Sequence, residues 1–389
     1  MPPRQPRHAN RSSCMLALTA LVLYMFGSAF LWAQSDPAMK ASHLMQSGNF
    51  REAETLWRQL AVKHPRNAEV YGNLGVCLAQ QGRLEQAVVA YRKSLEIKPD
   101  QSEVRYDLGL AEFKQGHFSL AIPLFASQAK QKPEEHRSTI LLGMSYFGLR
   151  QYEKATGYLQ IAAKNDPSNL ELHNVLAQSC LWSHHYDCAL AEFRSLLNVN
   201  PKAVQVHMLM AQALDGMGKT TDAIGELEEV VRSTPFEPLL HFELGYLYYK
   251  QREFEKALPE LQLEVKNNPG YAQSYLYMGD IALHSNDSKT AEPLLKKALQ
   301  LESSNRLAYF DLGSIYADQN RYPKAVAALQ RAVKLDPTQP DAHYRLARVY
   351  TALGKKEMAA QEFAKTKEIH TKTEDALMEK VSGKDSFPR

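Results

Sequence analysis

From residue 34 onward the apolar positions keep a helical period. In residues 68–101, Val70, Tyr71, Leu74, Val76 and Leu78 form one stripe, and Leu84, Ala87, Val88, Tyr91 and Leu95 form a second. Gly82 lies between the stripes, where a helix end needs a residue that tolerates a left-handed backbone. Pro99 follows the second stripe; it lacks an amide proton and biases its predecessor away from helix. The pattern predicts two antiparallel helices joined by a short turn.

The same pattern returns every 34 residues. Pro65, Pro99, Pro133, Pro167, Pro201, Pro235 and Pro269 follow that step, and Pro337 continues it after Ser303 takes one proline slot. Twelve residues before each of these positions stands Ala53, Ala87, Ala121, Ala155, Ala189, Ala223, Ala257, Ala291 or Ala325, and Ala359 extends the series. A second small slot holds Ala41, Gly75, Gly109, Gly143, Ala177, Ala211, Gly245, Gly279, Gly313 and Ala347. A third slot is large: Trp57, Tyr91, Phe125, Leu159, Phe193, Leu227, Leu261, Leu295, Leu329 and Phe363. Small slots predict helix crossings, because a larger side chain would hold the backbones apart. Pro123, Pro259 and Pro293 fall early in second helices, where mild kinks are expected.

In these residues the chain resembles the tetratricopeptide repeat (TPR) family; Tyr71, Leu74, Gly75, Ala87, Tyr91 and Pro99 show most of the family pattern in one unit. The resemblance covers residues 34–373 as ten repeats of 34. Lys40 in the first repeat and Ser303 in the eighth depart from the pattern. The resemblance implies an all-α, right-handed superhelical solenoid, in which stacked hairpins bury what one hairpin alone cannot. Residues 374–389 are expected to form a short cap helix, carried by Ala376, Leu377 and Val381, and a frayed tail.

Residues 1–33 are of another kind. Arg4, Arg7 and Arg11 precede 19 uncharged residues, Met15 to Ala33. A basic segment ahead of an apolar one predicts a secretory signal or a single membrane anchor. Gly27, Ser28 and Ala29 offer signal peptidase small residues, whereas the length is nearly enough to span a bilayer. In both readings the positive charge stays cytoplasmic, so everything after Gln34 is expected to be extracytoplasmic: periplasmic, secreted, or anchored through residues 15–33. These arginines also carry the net charge. The chain has 46 Lys and Arg against 43 Asp and Glu, a formal +3, and the remainder is neutral. Without a basic footprint, nucleic acid is excluded as an expected partner.

Few residues invite chemistry. Residues 213–220 end in Gly218, Lys219 and Thr220 and satisfy a permissive phosphate-loop pattern. That loop needs a strand before it and a helix after it, whereas here it falls in the turn between two helices. Cys180, His184, His185 and Cys188 have the composition of a metal site, but Cys180 stands in the packing slot of Tyr146, Leu214, Tyr248 and Tyr316. Buried thiols, as for Cys77, and a Cys180–Cys188 disulfide in an oxidising compartment are the other readings. His173, His207 and His241 recur 34 apart and His343 shares their slot, which Tyr71, Tyr275 and Tyr309 fill elsewhere. Such positions on stacked repeats lie on the order of 10 Å apart, too far to share one ion, and read as packing residues. No catalytic residue, cofactor or metal is expected, and no enzymatic activity.

The family resemblance implies a groove lined by first helices. Its variable slots hold Tyr106, Leu110, Phe113, Ile140, Met144, Phe147, Met208, Phe242, Tyr246, Tyr249, Leu276, Phe310 and Tyr344. Aromatic and methionine side chains suit adaptable peptide-binding surfaces. The expected function is a non-enzymatic scaffold that binds a protein or peptide segment, in a setting of cell-envelope assembly or export. A regulatory or substrate-recruiting subunit of a separate enzyme, and an envelope polysaccharide-binding module, are the alternatives.

Overall fold

A computed structural model describes residues 36–131 and 136–381. The signal or anchor expected in residues 1–33, Pro133, and the tail from residue 382 lie outside the described residues. Every regular element among the described residues is an α-helix. The chain divides into two compact units, Met1–His185 and Tyr186–Arg389, where the repeat pattern alone reads one array. Stacked repeats touch only their neighbours, so no shared core ties them all into one unit.

The first unit contains α1 (Pro37–Gln46), α2 (Phe50–Lys63), α3 (Ala68–Gln80), α4 (Leu84–Ile97), α5 (Ser102–Lys114), α6 (Phe118–Gln131), α7 (His136–Gly148), α8 (Tyr152–Asn165) and α9 (Leu170–Trp182). The second contains α10 (Tyr186–Val199), α11 (Val204–Gly216), α12 (Thr220–Ser233), α13 (Leu240–Lys250), α14 (Phe254–Asn267), α15 (Ala272–His284) and α16 (Ser288–Leu301). It continues with α17 (Arg306–Asp318), α18 (Tyr322–Leu335), α19 (Pro340–Ala352) and α20 (Lys356–Val381). Odd-numbered helices are the first helices of the hairpins and even-numbered ones the second.

One steric pairing explains the small and large slots. A Cβ placed on Gly75 would stand 2.5 Å from the Tyr91 ring, on Gly109 2.8 Å from Phe125, and on Gly313 2.6 Å from Leu329. Each large residue lies sixteen positions after its small partner, on the second helix of the same hairpin. It fills the space that the missing side chain leaves, at the density expected of a protein interior. From Trp57 to Leu329 these large residues are buried; Phe363 is 40% exposed, because no further first helix among the described residues covers α20.

The turns within hairpins repeat as closely. The N–H of Arg83 donates to the Leu78 carbonyl at 3.0 Å, and Lys219 to Leu214, Asp287 to Ala282 and Arg321 to Tyr316 do the same. This wraps the helix end and satisfies a carbonyl that the helix leaves free. The closure places one residue per turn at positive φ. Gly48, Gly82, Gly116, Gly218 and Gly354 fill this slot, and so do Arg150, His184, Arg252, Asn286 and Asn320.

Three local features differ from or refine the sequence reading. Helix α20 runs unbroken from Lys356 to Val381, so there is no separate cap helix after residue 373. No glycine or proline interrupts residues 356–381. Pro123, Pro259 and Pro293 each occupy the sixth position of α6, α14 and α16, and each helix continues past its proline. Helix α13 is two residues shorter than the other first helices of its unit and begins after Leu239, which adopts φ 68°. The Leu239 N–H donates to the fully buried Glu264 carboxylate at 3.0 Å, replacing the usual start of the helix.

Candidate interaction surface

The first helices of the second unit bring together an aromatic row and a set of carboxylates. Phe242, Tyr246 and Tyr249 lie three and four residues apart on α13, which puts them on one helical face. Tyr277 of α15 leans onto that face, with ring centroids 5.1 Å from Tyr246 and 4.8 Å from Tyr249. Tyr271, just before α15, meets Phe242 edge to face at 4.7 Å, a favoured ring geometry. Phe242, Tyr246, Tyr271 and Tyr277, together with Gln212, Asp215, Glu243 and Gln273, line a cavity of about 410 Å³, and Tyr249 lies outside its lining.

Carboxylates sit unusually deep here. Burial pushes the Glu243 carboxyl above its ordinary range; a hydrogen bond from Gln212 at 3.2 Å opposes this and the Asp215 charge adds to it. Asp311 on α17 is pushed up to about 7, first by burial and then by the Asp280 charge, with Arg306 opposing. The Asp311 Oδ2 has no hydrogen-bond partner. The Tyr249 hydroxyl donates to the Asp280 carboxylate. Lys250 Nζ lies 2.6 Å from Asp215 and 6.0 Å from the Tyr246 ring centroid.

In the first unit the corresponding residues are half-buried. Tyr106 and Phe113 approach the buried Phe125 at 5.9 and 6.4 Å. Phe147 joins Tyr152 and Trp182 at 5.7 and 5.4 Å. Burial of Asp107 on α5 pushes its carboxyl up to about 6; the Glu103 charge adds to this and Arg137 opposes it.

The groove residues expected from sequence therefore separate. Tyr106, Leu110, Phe113, Ile140, Met144, Phe147, Tyr246, Tyr249 and Phe310 are half-buried, and Tyr344 is 48% exposed. Met208, Phe242 and Leu276 are instead core residues, at 4, 8 and 3% exposure. They stand in the same position of the repeat as Tyr106, Ile140, Phe310 and Tyr344, so burial within that slot differs from repeat to repeat. Tyr271, Tyr277 and Trp182 were not among the expected residues. Tyr277 stands one residue beyond the slot of Leu276, so the open face is wider than a single register predicts.

The histidines are more than packing residues. His241 Nδ1 lies 2.6 Å from the Glu260 carboxylate and Nε2 lies 2.9 Å from the Pro235 carbonyl oxygen. His343 bonds Glu362 and the Pro337 carbonyl at 2.5 and 3.3 Å, and His207 bonds Glu226 and the Pro201 carbonyl. Where the slot holds Tyr275 or Arg105, the side chain still donates to a proline carbonyl six residues back, at 3.2 and 2.7 Å. The signal available in sequence was the glutamate nineteen residues after each of these histidines.

The remaining candidates resolve into local structure. Residues 213–216 belong to α11, and the amides of Met217, Gly218 and Lys219 donate to the carbonyls of Ala213, Asp215 and Leu214. Those amides are engaged in closing a helix and do not form a phosphate cradle. His185 Nδ1 meets the Ser183 hydroxyl at 3.0 Å. Among the described residues, no three His, Cys, Asp or Glu side chains form a group suited to a metal ion. Cys77 is a buried free thiol, pushed up to about 11 by burial and then by the Glu54 charge. No helix among the described residues is long and apolar enough to cross a membrane.

Models of the tetratricopeptide repeat match residues 38–102, 208–272, 78–144 and 340–369, and a TPR repeat model matches residues 313–354. No curated protein matches the chain significantly. Among solved structures, MamA from Desulfovibrio magneticus RS-1 is 22% identical, spans 43% of this chain and 95% of its own, and has a TM-score of 0.40. Yeast Tom70 is 14% identical over 90% of this chain and 96% of its own, with a TM-score of 0.41. YrrB, described as a TPR protein with an unusual peptide-binding site, is 17% identical over 49% of this chain and 97% of its own, at 0.40.

Proposed function

The chain belongs to the tetratricopeptide repeat family, and from that premise we propose that its first-helix face binds a segment of another protein, the chain itself being a non-enzymatic scaffold. The observation that carries the reading is the aromatic cavity of the second unit. Tyr246, Tyr249 and Tyr277 are large, rigid and only half-buried, and aromatic side chains of this kind dominate binding energy at protein interfaces. A cavity walled by neighbouring first helices offers an extended segment both apolar contact and hydrogen-bonding groups.

We further propose that this scaffold works outside the cytoplasm, in envelope assembly or export, tethered or released according to the fate of residues 1–33. The basic-then-apolar order of those residues supports this. In an oxidising compartment, Cys180 and Cys188, eight residues apart in sequence, close a disulfide under this reading. Peptide mapping of the protein from its native fraction, with and without reductant, tests the pair; recovery of both as alkylated thiols without reductant rejects it.

The binding surface is tested by placing a photo-crosslinking phenylalanine analogue at Tyr246 or Tyr249 in the full chain. Val89, exposed on the second helix α4, serves as the control position. A discrete crosslinked species from the α13 positions alone supports the assignment. Equal labelling at Val89, or none from α13, rejects it. Phe242 is left intact, because truncating a buried ring would disturb the fold and not only the surface.

A further inference from the structure

We propose that the cavity walled by Phe242, Tyr246, Tyr271 and Tyr277 receives a basic side chain, arginine or lysine, of the bound protein segment. The inference rests on the peptide-binding reading above and names the chemistry that the site selects.

Two properties of the cavity point to a cation. The first is the wall of rings. Tyr277 lies 6.0 Å from Phe242 and 5.1 Å from Tyr246, and Tyr271 closes the other side of Phe242 at 4.7 Å. Aromatic faces carry negative electrostatic potential and attract guanidinium and ammonium groups, most strongly where water is excluded. The second is charge. Asp215 and Glu243 line the same cavity, and Asp280 of α15 and Asp311 of α17 continue the acidic set.

The chain's own cations answer only part of this. Lys250 pairs with Asp215, and its ammonium near the Tyr246 ring shows that a cation is stable in this surrounding. His284 Nδ1 stands 3.4 Å from Asp280, which also accepts from the Tyr249 hydroxyl. Arg306 is paired with Asp341 at 2.9 Å. Glu243 receives the neutral amide of Gln212, and the Asp311 Oδ2 receives nothing. Burial raises both of these carboxyls; Arg306 opposes the rise only in part at Asp311, and at Glu243 the opposing group is the neutral Gln212 amide. An incoming arginine or lysine would reverse that. Its methylene stem would lie along the rings while its charged end reaches Glu243. An acidic segment would meet uncompensated like charge, and a wholly apolar one would leave the carboxylates desolvated and unpaired.

The test uses the full chain and a pooled decapeptide library with random flanks and one fixed central residue: Arg, Lys, norleucine or Glu. Norleucine keeps the apolar stem of lysine without its charge. Arg and Lys pools are expected to be retained about tenfold more than norleucine, with Glu lowest, and the advantage should shrink as salt rises. Glu243→Gln should remove most of the Arg and Lys advantage over norleucine, with the helical circular dichroism showing that the variant is folded. Retention of norleucine equal to Arg and Lys would overturn the cationic subsite and leave the peptide-binding reading standing. Failure of every pool to bind would overturn the subsite too, with the crosslinking at Tyr246 then deciding the broader reading by itself. A Glu243→Gln variant that keeps the full Arg and Lys advantage would also overturn it.

Discussion

His241 and Glu260 are joined at 2.6 Å through the ring Nδ1, while Nε2 of the same ring lies 2.9 Å from the Pro235 carbonyl. Both ring nitrogens therefore face an oxygen, one on the carboxylate and one on the carbonyl. The ring is 3% exposed. The arrangement clamps three segments: the first helix, the second helix of the same hairpin, and the proline that ended the previous hairpin. His207 with Glu226 and His343 with Glu362 repeat it. Tyr275 reaches its proline carbonyl alone, and Leu294 stands where the glutamate would be.

That internal comparison predicts a compensating swap. His241→Tyr alone should destabilise the protein by about 1–3 kcal/mol, because Glu260 loses its partner in a half-buried place. His241→Tyr with Glu260→Leu copies the Tyr275 and Leu294 pair and should recover most of the loss. A double-mutant cycle on urea unfolding of the second unit's signal measures the coupling. Additive losses would show that the two residues act independently.

Asp311 predicts how stability depends on pH. Its carboxyl is raised from 3.8 to about 7 in the folded protein, first by burial and then by Asp280. A raised acid binds its proton more tightly folded than unfolded, so its unfavourable contribution grows as pH rises from about 4 and is complete above about 7. Asp311→Asn should therefore leave stability near pH 4 almost unchanged and raise it at pH 8 by roughly 2–4 kcal/mol. Melting temperatures of the two proteins measured across that range provide the check. A gain of equal size at both ends would place the effect in packing.

The glycines opposite large residues predict a graded response. The Cβ of Gly75→Ala would stand 2.5 Å from Tyr91, whereas that of Gly245→Ala would stand 3.0 Å from Leu261. Gly75→Ala should destabilise by about 1–3 kcal/mol and Gly245→Ala by clearly less, since Ala211 already sits above Leu227 in another hairpin. Thermal unfolding of the two variants side by side tests the order.

The repeat was legible because each hairpin writes its own contact into the sequence. Gly75 and Tyr91, or Gly313 and Leu329, are partners sixteen residues apart, so the period and the packing are one signal. Polar clamps were harder to read. Glu260 looks like any surface acid on a second helix, and only its recurrence after His207, His241 and His343 marks it. The binding face was legible in kind but not in register. Phe242 and Leu276 share a slot with the exposed Tyr344, yet neighbouring first helices bury the former two. Tyr344 lies on α19, the final first helix among the described residues, and escapes that cover. Exposure depends on a residue's place in the array as well as on its slot. The extension of α20 was likewise written in the absence of glycine and proline from residues 356–381, but a fixed period of 34 hid it.

The left-handed slot gives a last prediction, independent of the binding face. Arg252 closes the turn between α13 and α14 at φ 60°, where Gly82 and Gly218 serve the same turn in other hairpins. A side chain in that conformation brings Cβ close to the neighbouring carbonyl, a strain that glycine does not have. Arg252 also makes its contribution from an exposed position, so little packing is lost with it. Arg252→Gly should stabilise the protein by about 0.5–1 kcal/mol, net of the greater freedom glycine gives the unfolded chain. The reverse change, Gly82→Arg, should destabilise by a similar amount. Both are read as shifts in the urea midpoint at constant slope, which reports a change in stability without a change in the surface exposed on unfolding. Arg252→Gly that lowers the midpoint would mean the arginine side chain supports the turn by more than its backbone strains it.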